Sequence, residues 1–475
     1  MTKTSLEDYA DKAITIALDA GSEYCDIRSE FIQTTGFIIE NGIVESFTSS
    51  NDSGLGIRVL VDGAWGFYSM SQPTSFDMVK ENIVKIVKTA KHYSENKKHK
   101  VKLAEVKSFT DYVKSPLQVE PSIEEMMKIG IDADNIIRTR KNIVKSTVSM
   151  RHDKFQKYFV NTDGSKITHV FDDVLVNMSA TAHYGGLTES VNTTEGGRGG
   201  MEMITGKNDI CDDANSISEK AVALLDAKTV KEEKATVVMN PDFVALLTHE
   251  ILGHPSEADR VLGKEMAWAG GAWWTGKLGT EIGPKELNVF DDPTLPSNLG
   301  WYKYDDEGVP ANKKTLVEEG ILCNHMHSRE TAALFDTAPN SSMRATNYSF
   351  MPLIRMACTC ISPGTWSPDE MIKDVKDGFL ICNMKIPSID MLRYNWSISC
   401  QYAIKIKNGE LGQLLRDVVV MGNSPEFFQS IDACGTDFKT RPIDNCGKGD
   451  PMQIMRMGNG GPHLRGKSTV KSVMI

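Results

Sequence analysis

A chain of 475 residues with 40% apolar and 24% charged residues is too long for one ordinary domain and carries enough apolar side chains for two or three cores. Its formal charge of -10 argues against a nucleic-acid partner, which needs clustered positive charge. No basic-then-apolar leader opens it, no apolar run reaches the roughly 20 residues of a membrane helix, and nine cysteines scattered without a framework read as the reduced thiols of a cytoplasmic protein.

Leu6, Ala10, Ala13 and Ala17 fall at helical spacing, with Gly21 as a stop. The period then changes to two. "YCDIRSEFI" alternates, and Asn41-Gly42 and Asp62-Gly63 each lie between alternating runs, the strongest short-range hairpin signal. Residues 24–70 therefore read as a meander of about four antiparallel strands. A long helix follows Pro73, and its basic end (91–100) reads as solvated. A second segment begins near Pro116, where Ser122 before two glutamates caps another helix. Strand-like runs turned by "NTDG" (161–164) come next. The glycine-rich stretch 185–201, nearly free of apolar residues, reads as a loop; it lacks the lysine and the strand-to-helix setting of a phosphate-binding loop. The helix "NSISEKAVALLDAKT" precedes a strand, "ATVVMN", and Pro241 opens the helix after it. From there strand and turn signals dominate, with turns at Glu319-Gly320 and Asn408-Gly409. The fold class is α+β: an N-terminal α/β domain (1–110), a middle α/β domain (111–229) and a β-rich C-terminal domain (230–475).

The helix after Pro241 carries "THEILGH" (248–254). His-Glu-x-x-His sets two imidazoles on one helical face to bind zinc, but here the second histidine, His254, comes one residue late. On an ideal helix, positions five apart diverge by about 140°. Gly253 and Pro255 offer a remedy by ending the helix at or just after Gly253, so His254 is expected off its end, free to swing towards His249. The bland alternative is a core histidine followed by a turn histidine. Glu250 favours a catalytic site, which needs a base beside its metal ligands. Three protein ligands are usual, and the third is open among His325 and His327, on one face of a strand, His463 in a glycine-rich turn, and Cys446. Lys448 beside Cys446 suggests a lowered thiol pKa, which ranks Cys446 only slightly above His325.

With "GSEYCDIRSEF", "HEILGHPSEAD", "DDEGVPANKKTLVEEGIL", "MPLIRMACTCISPGTWSPDEMI" and "NCGKGDP" in view, the chain resembles the TldD/PmbA family of metallopeptidases, in its TldD-type branch. The resemblance implies one zinc ion per chain bound by His249, His254 and Cys446, with Glu250 as general base. It implies peptide or unfolded-protein substrates, and pairing with a PmbA-type paralogue as a heterodimer or with a second copy as a homodimer. A non-catalytic partner subunit is the competing reading, and it expects the loss of at least one of these four residues. Two stretches depart from the family pattern: "NMKIPSID" (383–390) replaces a glycine run, and "CGKGDP" replaces Cys-Gly-Lys-x-Gly-Gln. Both bear on substrate range.

Overall fold

The computed structural model describes residues 3–115, 119–206, 209–265 and 270–473; Pro116, the expected start of the second segment, lies outside them. Helix α1 (Lys3–Asp19) buries Leu6, Ala10, Ala13 and Ala17. Three strands follow it rather than about four: β1 (Tyr24–Glu40), β2 (Ile43–Val61) and β3 (Ala64–Ser71). "YCDIRSEFI" and "GFIIE" are one strand continuing through Gly36, where a Cβ would meet the Met150 carbonyl oxygen at 2.8 Å. Asn41-Gly42 and Asp62-Gly63 take positive φ at both positions (50° and 85°, 49° and 69°), as two-residue hairpin turns require. Helices α2 (Phe76–Asn96) and α3 (Ile123–Arg138) are capped by Ser75 and Ser122, whose side chains accept from backbone N–H groups three residues on.

Strands β4 (Thr110–Lys114), β5 (Ile143–Asn161) and β6 (Lys166–Tyr184) complete most of the first sheet. Residues 185–201 are not the expected loop, because β7 (Leu187–Arg198) pairs antiparallel with β6 from Leu187 opposite Tyr184 to Arg198 opposite Asp173. The short β4 covers β6 only between Lys166 and Val170, leaving the rest of that edge for β7. Backbone pairing needs no apolar side chains, so the composition hid the strand. Helix α4 (Ile210–Leu224) starts before the expected "NSISEK", capped by Asp209.

Residues 1–110 and 111–229 thus build one seven-stranded sheet, ordered β3-β2-β1-β5-β6-β4 with β7 also on β6. Strands of 17 to 19 residues span about 60 Å, enough for two helix pairs on one face. Ile27, Leu55 and Val59 pack with α1 and α2, and Phe37, Ile39 and Val148 pack with α3 and α4. The opposite face carries buried charge. Arg58 bonds Asp26 (2.6 Å) and Glu307 (3.1 Å), and Arg28 donates to the Asn347 carbonyl oxygen (3.2 Å), tying the sheet to the C-terminal part.

That part holds two larger sheets. In one, β8 (Glu233–Met239) lies between strands Asp377–Ile389 and Leu464–Ser472. The other includes Cys358–Ile361, Gln453–Gly461 and Lys439–Lys448. Helix α5 (Pro241–Thr248) leaves β8 and is buried in the core shared by both sheets, every residue but Asp242 shielded. A helix apolar almost all round fits such a position. Among the described residues no helix is long and apolar enough to cross a membrane.

Candidate metal centre

The motif helix does not end as expected. Its α-helical pattern stops at Thr248, and His249–Gly253 form a π turn closed by His254 N–H donating to the His249 carbonyl oxygen. A turn of 3-10 type covers His254–Ser256 before the backbone extends at Glu257. Gly253 (φ -67°, ψ -60°) and His254 (φ -57°, ψ -44°) remain in the right-handed helical region, so His254 does not swing off a broken end. The widened turn solves the spacing instead: a bond spanning five residues stacks side chains five apart. The two rings lie 4.6 Å apart, centroid to centroid. Gly253 is needed for space rather than for conformational freedom, since a Cβ there would stand 2.0 Å from Met356 Sδ.

Cys446 joins the two histidines across 192 residues. One donor atom from each of His249, His254 and Cys446 lies within 4.8 Å of the others, and Cys446 Sγ is 3.5 Å from His254 Nε2. All three side chains are buried. The strand bearing Cys446 shifts register between Ile443 and Cys446, a bulge of the kind that re-aims a side chain.

The far side of each ring is held too. His249 Nδ1 lies 3.1 Å from Asn459 Oδ1, and His254 Nδ1 lies 3.1 Å from Glu257 Oε2. With Nδ1–H donating to those oxygens, each Nε2 keeps its lone pair for a cation. Burial alone pushes the Cys446 thiol up, but His249, Arg355 and His254 outweigh it and hold the thiol well below its ordinary range. His249 is correspondingly raised to about 9: burial lowers it, and Cys446, Glu250 and Asn459 more than compensate. A thiolate and two oriented imidazoles form a mixed sulfur–nitrogen donor set suited to zinc. A tetrahedral site with bonds of 2.0–2.3 Å needs donor separations of roughly 3.3–3.8 Å; Cys446 Sγ and His254 Nε2 already stand at 3.5 Å, and the three donors lie within 4.8 Å.

Lys448, expected as the cation beside the thiolate, serves elsewhere. Its Nζ bonds both Asp259 oxygens (2.8 Å each) and lies 3.2 Å from Glu257. Arg260 also donates to Glu257 (2.6 Å). Burial works against ionised Glu257, yet Lys448, Arg260 and His254 hold its carboxyl well below the usual range. Glu250, next to His249, is the partly exposed member at 15%, and its Oε2 lies 4.0 Å from Arg393 Nε.

The other candidate ligands lie outside the cluster. His325 and His327 are neighbours, as alternation implied, with rings 6.2 Å apart beside Phe335; burial pushes both down to about 4. His463 bonds Asp437 (2.7 Å). Asn459, Arg355 and Arg393 escaped the sequence reading. Asn459 lies in the same "GNGG" run that drew attention to His463, but no spacing rule marks an asparagine as the support of a distant histidine.

Comparison with known proteins covers almost the whole chain. The PmbA/TldA metallopeptidase C-terminal domain matches residues 232–470, domain 1 matches 25–94 and the central domain matches 117–225. A metalloprotease of Methanocaldococcus jannaschii is 31% identical over 94% of this chain and 97% of its own. A protein of Saccharolobus solfataricus named zinc metalloprotease TldD homolog is 26% identical over 96% and 98%. Among solved structures, TldE of Thermococcus kodakarensis superposes with a TM-score of 0.76 at 16% identity, covering 98% of this chain and all of that one. A Thermotoga maritima protein described as a candidate modulator of DNA gyrase superposes with a TM-score of 0.79 at 20% identity, covering 98% and 99%. Three domain matches and a 31% identical full-length relative place this chain in the PmbA/TldD metallopeptidase family, as a TldD-type member.

Proposed function

We propose that this chain is a zinc-dependent peptidase acting on peptides or unfolded protein segments, with Glu250 as its general base. The observation that carries the reading is the buried cluster of His249, His254 and Cys446, each imidazole turned by its own oxygen partner, with the adjacent Glu250 partly exposed. His249, His254 and Cys446 would hold the zinc, which would supply acidification of water and polarisation of a peptide carbonyl. Glu250 takes a proton from water as the oxygen adds to the carbonyl carbon, and returns it to the leaving amine. Asn459 and Glu257 keep the imidazoles oriented, and Arg260 and Lys448 keep Glu257 ionised. The hairpin 383–395 stands beside Glu250 with Ile386, Met391, Leu392 and Tyr394 exposed, apolar contacts suited to an extended peptide.

Presence of all four residues speaks for an active rather than a non-catalytic subunit. We assign it a dimeric state, with a second copy or with a TldE-type partner, and a cytoplasmic location in keeping with its nine free cysteines. The test is removal and return of metal. Purified protein should hold one zinc per chain, lose cleavage of an unstructured peptide on chelation, and regain it with zinc. Cleavage that persists in metal-free protein contradicts the reading.

A further inference from the structure

We infer that Arg393 is a further catalytic residue of this site, its guanidinium facing the scissile carbonyl oxygen as that oxygen gains negative charge. The inference rests on the peptidase reading above and extends it to a residue that reading does not use.

Arg393 lies on the connection between strands Asp377–Ile389 and Asn395–Lys407, and this connection is held rigidly. The Asp390 carboxylate accepts from the backbone N–H groups of Leu392 (3.1 Å), Tyr394 (2.8 Å) and Asn395 (2.8 Å). Met391 carbonyl oxygen accepts from Gly271 N–H (2.7 Å), and buried Ser424 donates its hydroxyl to the Arg393 carbonyl oxygen (2.7 Å). Within this frame Arg393 takes φ 62°, a left-handed conformation that is unfavourable for a residue with a Cβ and persists only where its surroundings impose it. The outcome of that strain is a guanidinium beside the metal centre. Its Nε is 4.0 Å from Glu250 Oε2, its side chain is 14% exposed, and one Nη donates to the Asp390 carbonyl oxygen at 3.2 Å.

A direct charge-assisted bond between guanidinium and carboxylate is about 2.7–2.9 Å long. At 4.0 Å, Arg393 does not occupy the Glu250 oxygen, which stays available as a base. Base and cation therefore stand side by side, both partly exposed (15% and 14%), an arrangement suited to addition of water to a carbonyl. The water oxygen bonds the carbonyl carbon while its proton passes to Glu250. The carbonyl π pair moves onto oxygen, where a preorganised cation stabilises it. When the pair returns, the C–N bond breaks and Glu250 gives its proton to the amine. Burial and nearby Arg260 lower the Arg393 pKa, against the pull of Glu250, Glu257 and Cys446; an arginine remains protonated through such shifts.

The experiment compares wild type, Arg393→Gln, Arg393→Lys and Glu250→Gln as zinc-loaded full chains. The probes are an unstructured peptide, with its C-terminus free or amidated, and a phosphinic analogue of that peptide that mimics the tetrahedral adduct. Loss of one such donor costs about 10²–10³-fold in kcat. Arg393→Gln should show that loss on both peptide forms, with KM and zinc content nearly unchanged and the affinity for the phosphinic analogue reduced by a similar factor. Arg393→Lys should recover part of both, as a point charge without the planar fork. Unchanged kcat and analogue affinity, or loss of zinc, overturns the inference. A defect confined to the free-acid peptide makes Arg393 a carboxylate anchor and also overturns it. A shifted acid limb of the pH profile with intact analogue affinity makes it a positioning residue for Glu250, with the same consequence. Full activity in Glu250→Gln contradicts the peptidase reading itself; an inactive Glu250→Gln beside a fully active Arg393→Gln contradicts only the role of Arg393. Analogue binding reads Arg393 even where turnover needs a partner chain.

Discussion

Replacing Gly253 with alanine sets two effects of opposite sign against each other. Backbone angles at Gly253 (φ -67°, ψ -60°) suit any residue, and alanine in a helix interior is favoured over glycine by about 1 kcal/mol. The added Cβ, however, would lie 2.0 Å from Met356 Sδ and 3.2 Å from its Cγ and Cε, against ordinary carbon contacts of about 3.5–4.0 Å. Met356 is fully buried and its sulfur accepts from Asn459 Nδ2 (3.7 Å), so it cannot simply withdraw. Overpacking of this kind costs about 1–3 kcal/mol, which leaves a net destabilisation of up to about 2 kcal/mol. The displacement passes through Met356 to Asn459, the support of His249, and loss of such support weakens metal binding about 10–100-fold. Urea unfolding of the metal-free protein reads the first effect, and zinc affinity by competition with a chelator reads the second. Met356→Ala in the same chain should relieve part of both, because the two sites share one contact. If Gly253→Ala raises stability and leaves zinc affinity alone, the steric account is wrong and the glycine serves another purpose.

Asn459→Leu should keep the fold and lower zinc affinity about 10–100-fold; an unchanged affinity removes Asn459 from the site. Lys448→Met leaves the buried carboxylates of Glu257 and Asp259 short of a cation and should destabilise by about 3–5 kcal/mol, whereas Lys264→Met, at an exposed pair with Glu330, should cost at most about 1 kcal/mol in the same unfolding assay. His325 and His327, pushed from 6.5 to about 4 by burial, are neutral when folded. The unfolded chain takes up protons below 6.5 that the folded one refuses until about 4. Their contribution is therefore full above pH 6.5 and lost progressively as pH falls towards 4, up to about 3 kcal/mol each. His325→Leu should flatten that stretch of a stability–pH curve, and an unaltered slope refutes the assignment.

Much of this was legible because it follows from local rules. Asn41-Gly42 and Asp62-Gly63 dictate left-handed turns wherever they occur between alternating runs, and the Ser122 cap and the Pro241 start depend on residues a turn away. The strand at 187–198 was illegible for a different reason: it is held by the open edge of β6, a neighbour that its own composition does not advertise. The histidine spacing was the harder lesson. The regular helix ends at Thr248, ahead of Gly253 and Pro255, and the ideal-helix angle excluded a shared site only for a helix that keeps its pitch, which a π turn does not. Long-range partners defeat sequence reading most completely. Cys446 needed the family resemblance to stand clearly above His325, and the ion pair joining Lys448 to Asp259 links residues 189 apart.

The central claim separates ligand from base, and one paired measurement of zinc content and peptide cleavage tests it most directly. Glu250→Gln should retain zinc at the wild-type level and lose about 10²–10⁴-fold in cleavage rate, the worth of a positioned base. Cys446→Ala should lose zinc and cleavage together, because two imidazoles remain where three donors stood. The account is contradicted by a Glu250→Gln protein that cleaves at the wild-type rate, or by a Cys446→Ala protein that keeps its zinc.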